Sequence, residues 1–588
     1  MGDILNSLTN EMMRAFEDAG YESAYGKVSV SNRPDLCEYQ CNGAMAAAKK
    51  YKKAPLMIAQ DVVTVLAKSS VFKAAQAVPP GFINLNIEPA FLTEYLQTML
   101  QDAHLLTQQE PQPKKIIIDY GGPNVAKPLH VGHLRSAIIG ESLKRLCRFV
   151  GNEVLGDIHL GDWGLQMGLI ITELQHRQPE LPYFQDDFAG DYPATAPFTI
   201  SELEEIYPAA TVKSKEDPDY KAQAMEATSL LQQRKPGYEA LWNHILNVSV
   251  TDLKKNYDTL QVTFDLWKKE SDAQPYIPDM VAYLKDNGYA HLDQGALVVD
   301  VKEDGDTKEI PPCMILKSDG ASLYNTTDLA TIVERMKLYE PDDIIYIVDK
   351  RQELYFTQVF RCARKTKLVK ENTGLHFLGF GTMNGKDGKP FKTRDGGTMR
   401  LSSFIQEITD KMYDKIVENR SVKGEDASET ASIVGLSAIK YGDLSNQATK
   451  DYVFDIERFT SFEGDTGPYI LYTIVRIKSI LSRYAQEGAG VDALQLREPS
   501  SDVEKALMLQ LVQFGGVIWN AYEEKAVHKI CSYIYDAANA FNRFYHETKI
   551  LTEENTVQKE SWIALLQLCL HVFNTSIDLL GFSAPDKM

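Results

Sequence analysis

The chain has 588 residues, 44% hydrophobic and 24% charged, an ordinary balance for a soluble globular protein with material for several cores. Its 62 basic and 81 acidic side chains leave a formal charge of −19, which excludes a protein that coats nucleic acid nonspecifically but leaves room for a local basic path. No signal-peptide pattern follows Met1, no apolar run approaches the ~20 residues that cross a bilayer, and seven scattered cysteines suit a reducing compartment; a cytoplasmic protein without membrane contact is expected.

Residues 1–112 read as a small α+β unit. Glu11 to Ala19, Gly43 to Tyr51 and Ile58 to Leu66 have helical spacing, and Val78 to Ile87 reads as a turn into a strand. Lys49, Lys50, Lys52 and Lys53 form one candidate basic path, and the run from Arg135 to Arg148 another. Cys37 and Cys41 stand four apart without a second pair or nearby histidines, so zinc is not expected there. Gln108 to Pro113 is a polar, proline-bearing linker that marks the first boundary.

Residues 113–430 read as a doubly wound α/β domain. Ile116-Ile-Ile118 is a buried parallel strand, stopped by Gly121-Gly-Pro123. His130-Val131-Gly132-His133 follows, then a helix to Val150 with Gly151 placed to cap it. A strand, a loop and a helix N-terminus favour a phosphate, and no Gly-x-Gly-x-x-Gly dinucleotide fingerprint occurs. Glu153 to Leu160 is a second strand that runs into Gly161-Asp-Trp-Gly164. From about 175 to 300 a charged, helical stretch reads as an insertion. The sheet is then expected to resume at 296–301, 313–317, 344–349 and 376–382, before a glycine-rich loop at 384–397. Residues 431–588 read as an all-α bundle, with helices at 431–441, 469–484, 504–522, 527–545 and 559–580.

Taken alone, His-x-Gly-His could be two ordinary loop histidines. Its setting is Asp119-Tyr-Gly-Gly-Pro-Asn124-Val-Ala-Lys127-Pro-Leu-His130-Val-Gly-His133-Leu-Arg135. That text resembles the "HIGH" signature of class I aminoacyl-tRNA synthetases, in the form carried by the arginyl enzymes. His159-Leu-Gly-Asp-Trp-Gly164, Ser322 to Leu329, Gly385 to Arg394, Phe462 to Tyr469, Phe541 to Tyr545 and Ala584 to Met588 resemble the same family, in the same order. The fold implied is a Rossmann-like catalytic domain of the HIGH type, preceded by an α+β domain that contacts the tRNA corner and followed by an anticodon-binding bundle.

The resemblance implies that arginine is joined to ATP, that pyrophosphate leaves, and that the arginyl group passes to the 2′-hydroxyl of the terminal adenosine of tRNA(Arg), with activation dependent on tRNA. Recognising a planar five-donor guanidinium calls for carboxylates and other acceptors. By position in the family's motifs, Asp328 pairs with the guanidinium and Tyr324 and Gln352 frame it. Asp119 and Asn124 hold the amino and carboxylate side, with His133 near the substrate. His130, Gly132, His133, Gly161, Asp162 and Lys392 are expected at ATP. The second class I signature is degraded to Pro390-Phe-Lys392-Thr393-Arg394, and Lys127 is expected to compensate for its missing lysine, with Lys392 and Arg394 also in the catalytic set. Gly121 stands where many relatives carry serine. Mg²⁺ is expected to arrive with ATP, held by phosphates and water, without a protein metal site. Lys50, Lys53, Tyr469, Arg476 and Tyr545 are expected at tRNA, where aromatics interleaved with polar groups suit splayed bases. The protein is expected to be a monomer. The competing readings are a class I synthetase for another amino acid, a small nucleotidylyltransferase, and a noncatalytic synthetase-like RNA-binding protein.

Overall fold

The computed structural model describes residues 3–389, 399–418, 425–486 and 494–588. At the N-terminus, the helix Ile4–Asp18 buries Ile4, Leu8, Met12, Ala15 and Phe16 on one face, starting about two turns before the sequence pattern suggested. It belongs with a four-stranded antiparallel sheet in the order Val28–Val30, Tyr39–Cys41, Phe82–Ile87, Phe72–Val78. Where a turn into one strand was expected there is a hairpin, closed at Pro79-Pro80-Gly81.

The central sheet is parallel. Its strands are β1 (Lys115–Asp119), β2 (Glu153–Asp157), β3 (Asp343–Asp349) and β4 (Gly374–Phe380), in the spatial order β4-β3-β1-β2. Ile116 and Ile118 pack into one hydrophobic core and Ile117 into the other, so both faces of β1 are covered, as its unbroken apolar run requires. The chain leaves β1 for β2 on one side, while β3 lies on the other. The switch of direction between β1 and β3 is where open α/β sheets place their ligand crevice. Helix α1 (Leu134–Phe149) makes the crossover from β1 and starts at that crevice.

Two expectations for this region are corrected. The segments near 296–301 and 313–317 do not extend the parallel sheet. Gln294 and Gly295 both have positive φ, which reverses the chain tightly. His291–Asp293, Ala296–Val299 and Cys313–Leu316 therefore form a separate antiparallel sheet. The run from Arg135 to Arg148 is not a basic surface path either. Helices of the C-terminal bundle cover the outer face of α1. Arg135 is buried there, Lys144 is buried against Tyr120 and Thr263, and Arg145 pairs with Glu141 and Asp578 and Arg148 with Asp265.

The expected insertion is present as Ile200–Glu216, Pro218–Gln232 and Pro236–Thr259, three helices packed on one another and on Leu165–Arg177. The C-terminal part is helical: α2 (Glu425–Leu444) leads to α3 (Gly467–Gln486), then Asp502–Leu511 and Phe514–Glu524, α4 (His528–Glu547) and α5 (Thr556–Leu579). The single helix expected at 504–522 is two, parted at Val512-Gln513. Gly515 sits so close to Leu106 that an added Cβ would lie 3.2 Å from its carbonyl oxygen. By length and composition α5 passes for a membrane span, contrary to the sequence reading, but two-thirds of its apolar stretch is buried inside the bundle.

Candidate active site

The histidines are set by the backbone around them. His130 precedes a 3-10 turn, Val131–His133, that feeds α1. The Gly132 N–H donates to His130 Nδ1 at 3.0 Å, and the His130 N–H donates to His133 Nδ1 at 3.1 Å. Both Nδ1 atoms thus accept, so each neutral ring carries its proton on Nε2 and presents a donor. The rings lie 3.9 Å apart between centroids. An added Cβ on Gly132 would meet His130 Cε1 at 2.8 Å, so glycine is what allows the fold-over. Burial, then His130 and Lys127, push His133 down to about 3; burial and Lys127 also lower His130. Both rings are therefore neutral hydrogen-bond donors at neutral pH. Lys127 lies beside them, its ammonium 4.7 Å from the Tyr207 ring on the insertion.

A carboxylate pocket lies on the same edge of the sheet. The helix Tyr324–Leu338 carries Tyr324 at its exposed start and Asp328 one turn on, half-buried. The Tyr355 hydroxyl donates to Asp328, whose carboxyl is raised by burial against that bond. Glu270 was not foreseen. Residues 266–270 run beside 158–160 by backbone pairing, and the Glu270 N–H donates to the Leu160 carbonyl at 3.0 Å. This brings Glu270 within electrostatic reach of His159, Asp162, Asp328 and Tyr324. Burial, with Asp162 and Asp328 adding to it, pushes its carboxyl up to about 7. Both ring nitrogens of His159 are buried without a hydrogen-bond partner. Tyr207 neighbours both Tyr324 and Lys127, joining this pocket to the histidine turn.

Beneath the pocket, the Arg335 guanidinium bridges Asp119 at 2.5 Å and Asp157 at 2.7 Å, 5.3 Å from the Tyr346 ring centroid. Asp119, Asp157 and His159 are the one group of potential metal ligands among the described residues, and Arg335 already supplies the cation for both carboxylates.

The other expected residues divide. Asn124 is exposed and pairs through its backbone with Gly161, where an added Cβ would lie 2.1 Å from Asn124 Oδ1. Gly161 thus makes room for Asn124 and is itself buried. Asp162 does not face the crevice. It is fully buried and accepts from the Ser271 N–H at 3.0 Å and hydroxyl at 2.7 Å, which locks the loop bearing Glu270; burial raises it to about 6. Gln352 is exposed at the short turn after β3. Lys392 and Arg394 lie outside the described residues. The segment that contains them is anchored on both sides. Met383–Asn384 pair with Tyr452–Val453, and residues 399–401 pair with 129–131 through Val131 N–H to Met399 O (3.1 Å) and Leu401 N–H to Leu129 O (2.8 Å).

A second cavity, of about 600 Å³, opens in the C-terminal bundle and is lined by Tyr469, Tyr472, Arg476, Asn542 and His546. The Arg476 guanidinium stacks over Tyr472 and Tyr545, 4.8 and 4.9 Å from their centroids, and Asn542 bonds both Arg476 and Tyr469, which brings Tyr469, Arg476 and Tyr545 of the expected tRNA contacts together. Tyr533 and Phe544, aromatics of the same helix as Tyr545, are core residues. Lys50 and Lys53 lie near the end of the helix Gly43–Tyr51, paired with Glu22 and with Asp61.

Three family models match the chain: tRNA synthetases class I (R), catalytic domain, over 95–456; the DALR anticodon binding domain over 470–588; and the arginyl tRNA synthetase N terminal domain over 3–87. The chain is 59% identical over 597 residues to an arginine–tRNA ligase of Agathobacter rectalis, with both covered in full. It is 57% identical over 573 residues to one of Alkaliphilus oremlandii, covering 97% of each. In fold it is similar to the arginyl-tRNA synthetases of Plasmodium falciparum (TM-score 0.82, 23% identity) and Thermus thermophilus (TM-score 0.79, 23% identity), each covered in full. The chain belongs to the arginyl-tRNA synthetase family of class I enzymes.

Proposed function

We propose that this crevice activates L-arginine with ATP and that the protein then charges tRNA(Arg). The arginine carboxylate oxygen attacks the α-phosphorus, the bond to the β-phosphate oxygen breaks, and pyrophosphate leaves. The 2′-hydroxyl of the tRNA's terminal adenosine next attacks the adenylate carbonyl and AMP departs. His130 and His133 donate through Nε2 to the phosphates, where neutral donors stabilise charge moving onto the leaving group. Lys127 supplies the fixed positive charge, with Lys392 and Arg394 as further cations. Gly132 keeps the backbone open to ATP, and Gly161 shapes the wall opposite.

Asp328 and Glu270 clamp the guanidinium, framed by Tyr324 and Gln352. Asp119, oriented by Arg335, and Asn124 hold the amino and carboxylate end. A ligand without the five-donor fork would leave these carboxylates unpaired, which discriminates against lysine and citrulline. The cavity lined by Tyr469 and Arg476, with Tyr545 stacked on the Arg476 guanidinium, takes a splayed anticodon base by stacking, and Lys50 and Lys53 face the tRNA corner. Residues 1–112, 113–430 and 431–588 act as corner-binding, catalytic and anticodon-binding domains of a cytoplasmic monomer, with Mg²⁺ carried on ATP.

The observation that carries the reading is the pairing of two carboxylates, Asp328 and Glu270, on the sheet edge that holds two neutral histidines. Pyrophosphate exchange with each amino acid, with and without tRNA, tests it. Exchange with arginine alone, and only when tRNA(Arg) is present, is expected. Exchange with a different amino acid would refute the assignment, and robust exchange without RNA would refute the tRNA dependence.

A further inference from the structure

The loop that leads from β1 to the histidine turn is gripped by the helical insertion. Two of its residues have a left-handed backbone: Gly121, at φ +72°, and Ala126, at φ +60°. Glycine takes that region freely, but the Cβ of an alanine crowds the following carbonyl there. The Ala126 N–H donates to the Ser249 hydroxyl at 2.9 Å, and the Tyr257 hydroxyl donates to the Gly121 carbonyl. Ser249 and Tyr257 stand about two turns apart on the helix Pro236–Thr259. Both are buried, and so is Ala126. An added Cβ on Gly121 would lie 3.2 Å from the Tyr257 hydroxyl, so this helix packs directly on the loop.

The middle of the loop is held from elsewhere. The Val125 N–H donates to the Gly161 carbonyl at 3.0 Å, and the Gly161 N–H donates to the Pro123 carbonyl at 3.2 Å, which fixes the backbone on both sides of Asn124. Lys127 directly follows the strained alanine, and its ammonium rests on Tyr207, from another helix of the insertion. A non-glycine residue keeps a left-handed conformation only where its surroundings over-determine it. At Ala126 the N–H is bonded to a side chain 123 residues away. Without that hydroxyl a buried N–H loses its acceptor, and Ala126 can relax to an ordinary negative φ. Such a change redirects the chain at Lys127, while the ties to Gly161 on either side of Asn124 stay in place.

We infer that Ser249 is a positioning residue for the activation step. By fixing Ala126 in its left-handed conformation it aims Lys127 at the triphosphate, which makes the helical insertion a working part of the ATP site. The inference rests on the reading that Lys127 supplies charge to that triphosphate, and Ser249 itself touches no substrate. Its effect must therefore pass through Lys127.

The test is a double-mutant cycle in the full-length protein with tRNA(Arg), read by pyrophosphate exchange. Lys127→Ala alone is expected to lower kcat about a hundredfold, through loss of a fixed charge beside the leaving pyrophosphate. Ser249→Ala alone should lower kcat about tenfold, since misplacement by an ångström is enough for that. The KM for arginine should stay within about twofold, because the ties beside Asn124 persist. In the Lys127→Ala background, Ser249→Ala should cost less than about twofold. A tenfold fall in both backgrounds, or no fall in either, overturns the inference, as does a KM for arginine that rises in step with the loss of kcat. Ser249→Cys keeps the size and offers a weaker acceptor. It should show the same pattern at about threefold, and it decides if Ser249→Ala does not fold. Lys127→Ala separates this from the underlying reading. If it leaves exchange intact, the reading of Lys127 falls and the inference with it; if it impairs exchange while the two losses simply multiply, only the role of Ser249 falls.

Discussion

The histidine turn and the carboxylate pocket share one crevice but are built in opposite ways. In the turn, backbone amides within three residues fill both Nδ1 positions and fix two neutral donors before any ligand arrives. In the pocket, groups from four distant segments leave charge unsettled: Glu270 is lifted to about 7, Asp328 is raised, and His159 has no partner. On the proposed reading, the contrast means that the phosphate end is set mainly by local geometry, whereas the amino-acid end is completed by its cation. Changes at the two ends should therefore separate in kinetics.

The largest break is expected at the pocket. Asp328→Asn should raise the KM for arginine roughly a hundredfold, the worth of a charge-assisted bond of about 3 kcal/mol, with the KM for ATP nearly unchanged. Equal defects for both substrates would mean that the two ends are not separate. Gly132→Ala should act in the opposite sense. The new Cβ would push the His130 ring from 2.8 Å, lowering exchange kcat about 30-fold while the KM for arginine holds.

A pH profile sharpens the contrast next. Below about 7 Glu270 is mostly protonated and neutral, and a bound guanidinium favours the ionised form. Arginine binding then releases a proton, so the KM for arginine should fall by up to about tenfold between pH 6 and 8. Glu270→Gln should flatten that slope. The ATP side should add none of it, because His133, at about 3, is neutral throughout the range. The smallest effect is expected one step back from the pocket. Ser271→Ala removes one bond to Asp162 and should raise the KM for arginine about threefold, with a stability loss of about 1 kcal/mol seen by denaturant titration.

The same contrast explains what could be read from the sequence. The strand, turn, histidines and helix lie within 36 residues, Ile116 to Gly151, and the bonds that orient the two rings are local, although the backbone of the turn also pairs with 399–401. Tyr324 and Asp328 were legible from their place in the family's motif, and their spacing of four puts them one helical turn apart. Glu270 was not, since it follows a long helical insertion and reaches the pocket only through pairing with 158–160. Arg335 was hidden too: its partners Asp119 and Asp157 are 216 and 178 residues away. Arg135 read as surface charge until the bundle closed over α1, and Lys144 until the chain at Thr263 did. Asp162 sits in the right loop and points the other way, a side-chain direction that spacing does not encode. The strands near 296–316 were found, but their sheet depended on the two positive-φ residues at 294 and 295.

The most direct test is the ratio of kcat/KM for arginine over its uncharged isostere citrulline, measured by pyrophosphate exchange in the presence of tRNA(Arg). Wild type should discriminate steeply, and Glu270→Gln combined with Asp328→Asn should collapse the ratio while ATP kinetics persist. An unchanged ratio in that double variant would contradict a pocket whose two carboxylates recognise the guanidinium.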